Sequence, residues 1–366
     1  MKWKNILTIA LAACVIFGFS AAGILKTPEA YSMAERRSLA QKPELSYEQL
    51  LSGKYMTQFE DFSLDQFPLR DNMRTLKAAA ARYVFLQKDN HGIYEQDGYW
   101  SKLEYPMNSG KVERSGDKLR EVYETYLEGT GCKVYLSVIP DKNYFLAPLG
   151  GYPVMDYSLL VENLREKLDF AEYIDIFGDL SLESFYKTDQ HWRQETLSGV
   201  AQTLADAMGA EISLDFTVQE LPVPFYGAYC GQAALKVQPD TLYYLTGDLL
   251  DGCTVTSYNT GLPTASFMYD MEKAYGKDPY EMFLSGSDAL LTIENPNAAT
   301  EKELVVFRDS FGSSLAPLLA SGYAKITLVD LRYLQSSLLG NFIDFEDQDV
   351  LFLYSTLVLN NTVSMQ

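Results

Sequence analysis

The sequence predicts an α/β fold in which a mostly parallel β-sheet is flanked by helices. From about residue 111 onward, short apolar runs typical of strands alternate with longer amphipathic segments typical of helices. The same alternation returns after residue 300. Strands that alternate with helices imply a parallel sheet with both faces covered. A third observation, an apolar run at the N-terminus, predicts a membrane anchor or a signal segment in front of this domain.

The predicted elements follow from these runs and their turn residues. Strands are predicted at residues 132–139, 173–176, 303–307, 325–329 and 350–354. Helices are predicted at residues 111–128, 158–170, 193–208 and 313–321. The segment 211–300 is rich in Gly, Pro and Tyr and is expected to be an irregular insertion, with short strands at 242–245 and 289–293.

The first 25 residues carry a targeting signal. Lys2 and Lys4 precede an uncharged apolar run over residues 5–25, which is long enough to cross a bilayer as a helix. The length favours an uncleaved signal-anchor; cleavage near Ser20-Ala21-Ala22 as a signal peptide is the alternative. Positive charges before the run favour a cytoplasmic N-terminus, so the remainder of the chain is expected outside the cytoplasm. A lipoprotein cleavage site at Cys14 is disfavoured by the apolar sequence that follows it.

We therefore expect three parts. Residues 1–25 form the signal-anchor or signal peptide, residues 26–110 an N-terminal extracytoplasmic segment, and residues 111–366 the α/β domain. Within the second part, a short helix is expected at 34–40, helical structure between 55 and 86, and a hairpin at 92–100.

Composition excludes several classes of function. The net charge of −19 and the pI of about 4.5 exclude nucleic acid as a partner, because phosphate binding needs a basic face. There is no Cys-x-x-Cys pair, no Cys/His cluster and no phosphate-binding glycine loop, so neither a metal nor a nucleotide cofactor is expected. The 26 tyrosines and 19 phenylalanines suit either sugar stacking or an ordinary core.

The cysteines leave two alternatives open in an exported domain. Cys230 and Cys253 could form one disulfide with Cys132 left over, or all three could be free thiols.

Histidine is scarce, which narrows the search for imidazole chemistry. Of the two histidines, His191 follows Asp189 by two residues. In an extended loop their side chains fall on the same side, so the carboxylate can hold the imidazole in one tautomer. A structural histidine near a helix start, with Asp189 as a helix cap, is the alternative. His91 lies in an Asp-Asn-His-Gly stretch, which predicts a solvent-exposed turn residue.

Ser310 is the predicted nucleophile because it lies where a strand turns into a helix. The backbone N–H groups of Phe311 and Gly312, near the helix start, are expected to stabilise an oxyanion. An N-cap role for the serine is the alternative. Lys142 and Arg332 each follow a predicted strand, and sites in parallel sheets form beyond such strand ends, so both are expected near the cleft.

These segments resemble a known family. Thr188-Asp189-Gln190-His191-Trp192 is similar to the Asp-His-His-Trp signature of the DHHW family, and Arg308-Asp309-Ser310-Phe311 resembles its serine block. Further matching pieces lie at residues 34–39, 65–71, 226–227 and 329–333, so the resemblance runs from about residue 34 to the C-terminus.

The resemblance implies an SGNH-hydrolase-like fold and an acyl-transfer site. The family is related to the SGNH-hydrolase-like proteins of alginate O-acetylation, which are exported or membrane-anchored. Those proteins use a serine nucleophile, a histidine base and an aspartate orienter, roles that fall here on Ser310, His191 and Asp189. Two departures stand out: Gln190 replaces the first histidine of the signature, and Arg308 stands where SGNH hydrolases usually have glycine.

The expected function is an extracytoplasmic O-acetyltransferase or acetylesterase. Its substrate would be a cell-surface or secreted glycan, or another small acetylated molecule. A membrane protein that donates acetyl groups is a possible partner, and the N-terminal segment would contact the membrane. The alternatives are a non-catalytic glycan-binding or assembly protein that uses 211–300 as its contact surface, and a purely structural envelope protein in which Asp189, His191 and Ser310 lie apart.

Overall fold

The computed structural model describes residues 2–298, 300–361 and 365. It divides the chain into two compact units. One comprises Met1–His91 with Cys230–Val237, and the other comprises Gly92–Tyr229 with Gln238–Gln366. The domain borders expected near residues 25 and 110 stay predictions.

The elements alternate along the second unit much as the sequence suggests. The α-helices are α1 Lys2–Leu25, α2 Tyr47–Leu51, α3 Lys54–Asp65, α4 Arg70–Ala79, α5 Ser109–Val122, α6 Lys142–Gly150, α7 Tyr157–Lys167, α8 Ser198–Met208, α9 Ala228–Ala233, α10 Asp248–Asp251, α11 Met271–Ala274, α12 Ser310–Leu319 and α13 Thr356–Asn361. The strands are β1 Tyr31–Ser32, β2 Arg37–Ser38, β3 Asp89–Asn90, β4 Ile93–Gln96, β5 Tyr99–Lys102, β6 Lys133–Ile139, β7 Glu172–Tyr173, β8 Thr217–Phe225, β9 Asp240–Thr246, β10 Thr254–Ser257, β11 Thr264–Ser266, β12 Leu290–Glu294, β13 Glu303–Arg308, β14 Lys325–Val329 and β15 Asp349–Ser355.

Several short helical turns join these elements. Turns of 3₁₀ helix lie at Phe177–Asp179, Leu182–Ser184, Gln194–Thr196, Pro279–Met282, Ala320–Gly322 and Ser336–Asn341, and π-helical turns at Ala80–Val84 and Tyr123–Leu127.

The second unit is built on an eight-stranded sheet, counted over the described residues, with the order β11-β10-β12-β14-β13-β15-β6-β7. The five strands from β14 to β7 are parallel to one another. The remaining three, β12, β10 and β11, continue the sheet antiparallel. The carboxyl ends of β13 and its neighbours therefore lie at one edge of the sheet, where Asp309 and Ser310 follow.

Both faces of this sheet are covered, which explains why its central strands read as continuous apolar runs. In β13, Val305 and Phe307 pack into one core with buried residues of α5 and α7. The intervening Leu304 and Val306 pack into the other core, with α8 and α12. A sheet buried on both sides is the usual environment of parallel strands. The predicted parallel sheet flanked by helices is confirmed.

The segment 211–300 is more regular than the sequence suggested. Strands β8 and β9 form an antiparallel hairpin, and β10, β11 and β12 extend the central sheet. The strands predicted at 242–245 and 289–293 correspond to β9 and β12. Strand β8 is not visible in the sequence because it contains Pro222 and Pro224, and its pairing register shifts between Glu220 and Pro224. Prolines and bulges of this kind hide the alternation that identifies a strand.

The first unit begins with an apolar helix. Helix α1 has a mean hydropathy of 2.2 over its most apolar window and is long enough to cross a membrane, so it is compatible with a signal segment or an anchor. The helix expected at 34–40 is wrong: Arg36 has φ +51°, and β2 pairs with β1 as a short antiparallel bridge. A left-handed residue interrupts the α-helical backbone.

Charged residues hold the rest of the first unit together. Arg37 binds both oxygens of Asp65, at 2.8 and 2.6 Å. Glu35 binds Arg70 at 2.7 Å and Arg74 at 3.1 Å. The hydrogen bond from Arg37 lowers the pKa of Asp65 to about 2. The segments 34–39 and 65–71, which carry part of the sequence resemblance, thus form an ion-pair network with a structural role.

None of the described cysteines, Cys14, Cys132, Cys230 and Cys253, forms a disulfide. Of the two alternatives, the structure has the one without a disulfide.

Candidate active site

Ser310 is the first residue of α12, directly beyond the carboxyl end of β13. The preceding Asp309 is the helix N-cap, and its Oδ1 accepts a hydrogen bond from the Phe311 N–H at 3.0 Å. The other oxygen, Oδ2, accepts from the Ser355 N–H at 2.8 Å and the Ser355 hydroxyl at 2.6 Å. Asp309 therefore takes the capping role that was the alternative for Ser310, and the serine hydroxyl is left for other contacts.

His191 joins Ser310 and Asp189 in one hydrogen-bonded line. Its Nε2 lies 2.8 Å from Ser310 Oγ, and its Nδ1 lies 2.6 Å from Asp189 Oδ1. The carboxylate accepts a hydrogen bond from Nδ1–H and so keeps the proton on Nδ1, which leaves the Nε2 lone pair free to accept the serine proton. Asp189 is fully buried and His191 is 7% exposed, so little water competes for these bonds. The three residues that the sequence singled out lie together.

The Asp189 carboxylate is held in place from two directions. Oδ1 also accepts the His191 backbone N–H at 3.1 Å. Oδ2 accepts the Ala228 N–H at 2.8 Å. Hydrogen bonds from N–H groups to an ionised carboxylate are stronger than bonds between neutral groups. The carboxylate is thereby fixed toward the imidazole.

Lys142 supports the loop that carries this pair. Its ammonium donates to the carbonyl oxygens of Tyr186 at 2.7 Å, Lys187 at 3.2 Å and Asp189 at 2.7 Å. Only 1% of Lys142 is exposed. The prediction that Lys142 lines the cleft is wrong, because its positive charge is directed into the back of the loop.

The same loop is fixed by residues from the 211–300 segment. Asp240, at the start of β9, accepts from the Thr188 N–H at 2.7 Å and the Thr188 hydroxyl at 2.5 Å. The Gly227 N–H donates to the same hydroxyl at 2.9 Å. A Cβ atom on Gly227 would lie 2.3 Å from the Thr188 carbonyl, so only glycine fits this close approach of two backbones.

Aromatic packing sets the plane of the imidazole. The Tyr280 ring stacks on His191 with centroids 3.8 Å apart and an angle of 10° between the planes. The Tyr280 hydroxyl lies 2.8 Å from Ser314 Oγ, which also accepts from Trp192 Nε1 at 2.9 Å. Burial raises the pKa of Tyr280 well above its ordinary value, so its phenol stays neutral. No sequence signal pointed to Tyr280, which lies in the segment expected to be irregular.

A small cavity opens onto the serine hydroxyl. Its volume is about 170 Å³, and both His191 and Ser310 line it. Arg332 is on its wall, as the sequence suggested, with its guanidinium held by Asp330 through bonds of 2.9 and 2.6 Å. The other residues that line the cavity are Asp278, Tyr280, Glu281, Phe283, Gly286, Ser287, Ser313 and Tyr333.

The predicted oxyanion donors need a correction. The Phe311 N–H donates to Asp309 Oδ1 at 3.0 Å, and the Gly312 N–H donates to the Asp309 carbonyl at 3.1 Å. Both groups are used to build the turn, because an N-cap aspartate satisfies the first N–H groups of its helix. Gly312 has a steric role: a Cβ atom there would lie 2.7 Å from Cβ of the buried Arg308.

His91 lies in the first unit and takes no part in this arrangement. It has φ +55°, is exposed, and its Nε2 lies 2.7 Å from the Lys77 ammonium. This environment is that of the turn residue predicted from the sequence.

Ser310, His191 and Asp189 thus form one hydrogen-bonded line beyond the carboxyl end of a parallel strand, and this line is the candidate active site. Solved structures share the fold of this chain. A DHHW family protein from Eubacterium siraeum aligns with a TM-score of 0.59 at 19% identity, over 75% of this chain and 94% of that one. PatB1 of Bacillus cereus, solved with a sulfonyl adduct, aligns with a TM-score of 0.57 at 19% identity, over 74% of this chain and 96% of that one.

A third structure, the O-acetyltransferase domain of AlgJ from Pseudomonas putida, aligns with a TM-score of 0.46 at 15% identity, over 75% of this chain and 94% of that one. No protein-family model matches the sequence, and no curated protein matches it significantly. At identities this low the first two likenesses establish the SGNH-like fold, and the chemistry has to be argued from the residues.

Proposed function

We propose that the protein is a serine-dependent O-acetyltransferase or acetylesterase that acts outside the cytoplasm on a cell-surface or secreted glycan. One observation carries the proposal: the line from Ser310 Oγ to His191 Nε2 at 2.8 Å and from His191 Nδ1 to Asp189 Oδ1 at 2.6 Å. The SGNH-like fold and the sequence resemblance to O-acetylation proteins support the choice of acetyl as the acyl group.

The reaction in this proposal has two halves. Ser310 Oγ attacks the carbonyl carbon of an acetyl ester while its proton passes to His191 Nε2. The ester C–O bond then breaks, the alcohol leaves with the proton from His191, and acetyl-Ser310 remains. In the second half His191 takes a proton from an incoming hydroxyl as that oxygen attacks the acetyl carbon. The bond from the acetyl carbon to Ser310 Oγ then breaks, and His191 returns the proton to Ser310 Oγ. A glycan hydroxyl makes the protein a transferase, and water makes it an esterase.

The edge of the cavity supports a sugar as acceptor. Tyr333 lines the cavity and 55% of it is exposed, so its ring is available for stacking against a sugar face. Helix α1, long and apolar enough to span a bilayer, supports action at or beyond the membrane. The acetyl donor in this proposal is a small acetyl ester or a membrane protein that carries acetyl groups.

The direct test is the hydrolysis of a chromogenic acetyl ester by the full chain in detergent. Ser310→Ala and His191→Ala should each abolish most turnover. Ser198→Ala is the matched control, because this exposed serine at the start of α8 lies outside the cavity. Equal rates for wild type and Ser310→Ala would remove Ser310 as the nucleophile.

The same assay with a soluble oligosaccharide separates the two reactions. An acetylated oligosaccharide, detected by mass, identifies a transferase, and free acetate alone identifies an esterase. Binding of the oligosaccharide with no ester turnover would instead favour a non-catalytic glycan-binding protein.

A further inference from the structure

The hydroxyl of Ser313 is buried beside the candidate nucleophile, and no described residue forms a hydrogen bond with it. Ser313 is 2% exposed and lines the same cavity as Ser310. Among the described residues its Oγ has no hydrogen-bond partner. Leaving a buried hydroxyl unpaired costs about 1–3 kcal/mol, and such groups in folded proteins call for an explanation. An acceptor that enters the cavity would supply the missing bond.

Ser313 shares both a helix and a cavity with Ser310. Ser310 and Ser313 are three residues apart on α12, so they lie on the same face with Cβ atoms about 5–6 Å apart. Side chains in a helix lean toward its N-terminus, which brings the Ser313 hydroxyl over the turn that carries Ser310. The Ser310 N–H is in the first turn, where N–H groups have no acceptor within the helix.

The nearby backbone donors are already in use. The N–H groups of Phe311 and Gly312 both donate to Asp309. An acyl-transfer site needs preorganised donors where negative charge develops, so the donors have to come from other groups.

We propose that the Ser313 hydroxyl, together with the Ser310 N–H, donates a hydrogen bond to the oxyanion of the tetrahedral intermediate. This inference rests on the proposed function. When Ser310 Oγ bonds to the carbonyl carbon, its proton moves to His191 Nε2 and the carbonyl electron pair moves onto oxygen. That oxygen accepts from Ser313 until the intermediate collapses, the ester C–O bond breaks and the alcohol leaves with the proton from His191. Ser313 would thus be a catalytic residue.

Replacing Ser313 with alanine is expected to lower the rate of ester cleavage strongly and to change the stability of the fold little. Removal of one oxyanion donor lowers kcat by about 10²–10³-fold. Because Ser313 Oγ has no partner in the described structure, Ser313→Ala should leave the melting temperature unchanged or raise it. The neighbouring Ser314→Ala is the contrast, since its hydroxyl is bound by Trp192 and Tyr280 and its loss should lower the melting temperature.

The experiment compares the full chain and its Ser313→Ala variant on 4-nitrophenyl acetate and on the matching thionoacetate, with the melting temperature of each. Sulfur accepts hydrogen bonds more weakly than oxygen, so the wild type should prefer the oxygen ester and the variant should lose most of that preference. We expect a fall of about 10²–10³-fold on the oxygen ester at an unchanged or higher melting temperature.

Three results would overturn the role of Ser313: a wild-type rate in Ser313→Ala, an unchanged preference for oxygen, or a loss of rate that accompanies a fall in melting temperature like that of Ser314→Ala. A wild-type chain that cleaves neither ester would instead defeat the proposed function itself, and the two failures are therefore distinguishable.

Discussion

The Lys142 ammonium lies 2.7 Å from the carbonyl oxygen of Asp189, on the backbone of the residue that orients His191. A buried cation thus holds the main chain of the site, while the Asp189 side chain faces the imidazole. The same ammonium binds the carbonyls of Tyr186 and Lys187, so one charge satisfies three acceptors of a loop without regular structure.

Replacing Lys142 with methionine should therefore disturb both stability and rate. The variant keeps the length of the side chain but takes the ammonium donor away from the carbonyls of Tyr186 and Asp189, while the Lys187 carbonyl keeps its bond from the Trp100 N–H at 2.7 Å. This loss should cost about 2–4 kcal/mol of stability. Ester cleavage should fall because the Asp189 backbone loses its anchor. Lys133→Met, at the exposed start of the preceding strand β6, is the control and should retain both properties. Wild-type stability and rate in Lys142→Met would show that the clamp is dispensable.

The backbone contact at Gly227 predicts a second sensitive position. Gly227→Ala places a methyl group 2.3 Å from the Thr188 carbonyl and 2.4 Å from the Asp189 nitrogen, so the loop has to shift. We expect a lower melting temperature and at least a 10-fold loss of ester cleavage, because small displacements of a catalytic group are costly. Gly178→Ala, whose Cβ would meet nothing within 4 Å, should behave as wild type. Equal behaviour of the two variants would contradict the close approach.

The orienting role of Asp189 predicts a loss of rate with little change in fold. In Asp189→Asn the amide no longer selects the tautomer that leaves His191 Nε2 free to accept the Ser310 proton. Cleavage of an acetyl ester should fall by about 10²–10⁴-fold, measured as kcat on the full chain. A circular dichroism spectrum like that of wild type would confirm an intact fold. Retention of more than half of the rate would remove Asp189 from the mechanism.

A buried carboxyl behind the site predicts a dependence of stability on pH. Burial, with some repulsion from Glu104, raises the pKa of Asp141 to about 6 from an ordinary 3.8, despite hydrogen bonds from Thr356 and Tyr157. Because the pKa of Asp141 is higher in the folded than in the unfolded state, the protonated carboxyl makes its full contribution to stability below about pH 4. It is lost as the pH rises through 6, and the total change is about 3 kcal/mol.

The melting temperature of Asp141→Asn relative to wild type is the measurement for this carboxyl. The neutral amide cannot ionise, so the melting temperature of the variant should rise relative to that of the wild type between pH 4 and pH 7. Asp156→Asn, at the exposed N-cap of α7, is the control. A difference between Asp141→Asn and wild type that stays constant over this range would rule out ionisation of Asp141 as the cause.

The sequence is informative about the site where the relevant relationships are local. The spacing of Asp189 and His191 and the position of Ser310 at the end of an apolar strand are both visible within a few residues. The turn at Asp309 is local too, yet either Asp309 or Ser310 is a good N-cap. Only the contacts to Ser355 show why the aspartate takes that role.

Three of the supporting residues could not be predicted, because they come from distant and irregular parts of the chain. Ala228 lies 39 residues from Asp189, and Asp240 lies 52 residues from Thr188. Their contacts depend on the pairing of β8 with β9, whose alternation is interrupted by proline. Tyr280 stacks on His191 from a short 3₁₀ turn, an element that leaves no periodic pattern in a sequence.

The most direct test of the central claim is to identify the residue that an active-site sulfonyl fluoride modifies. The full chain is treated with phenylmethylsulfonyl fluoride, and its peptides are mapped by mass spectrometry. A serine activated by His191 should give one adduct, on Ser310, and His191→Ala should slow its formation by at least 100-fold. An unmodified Ser310, or one that reacts equally fast without His191, would contradict the account.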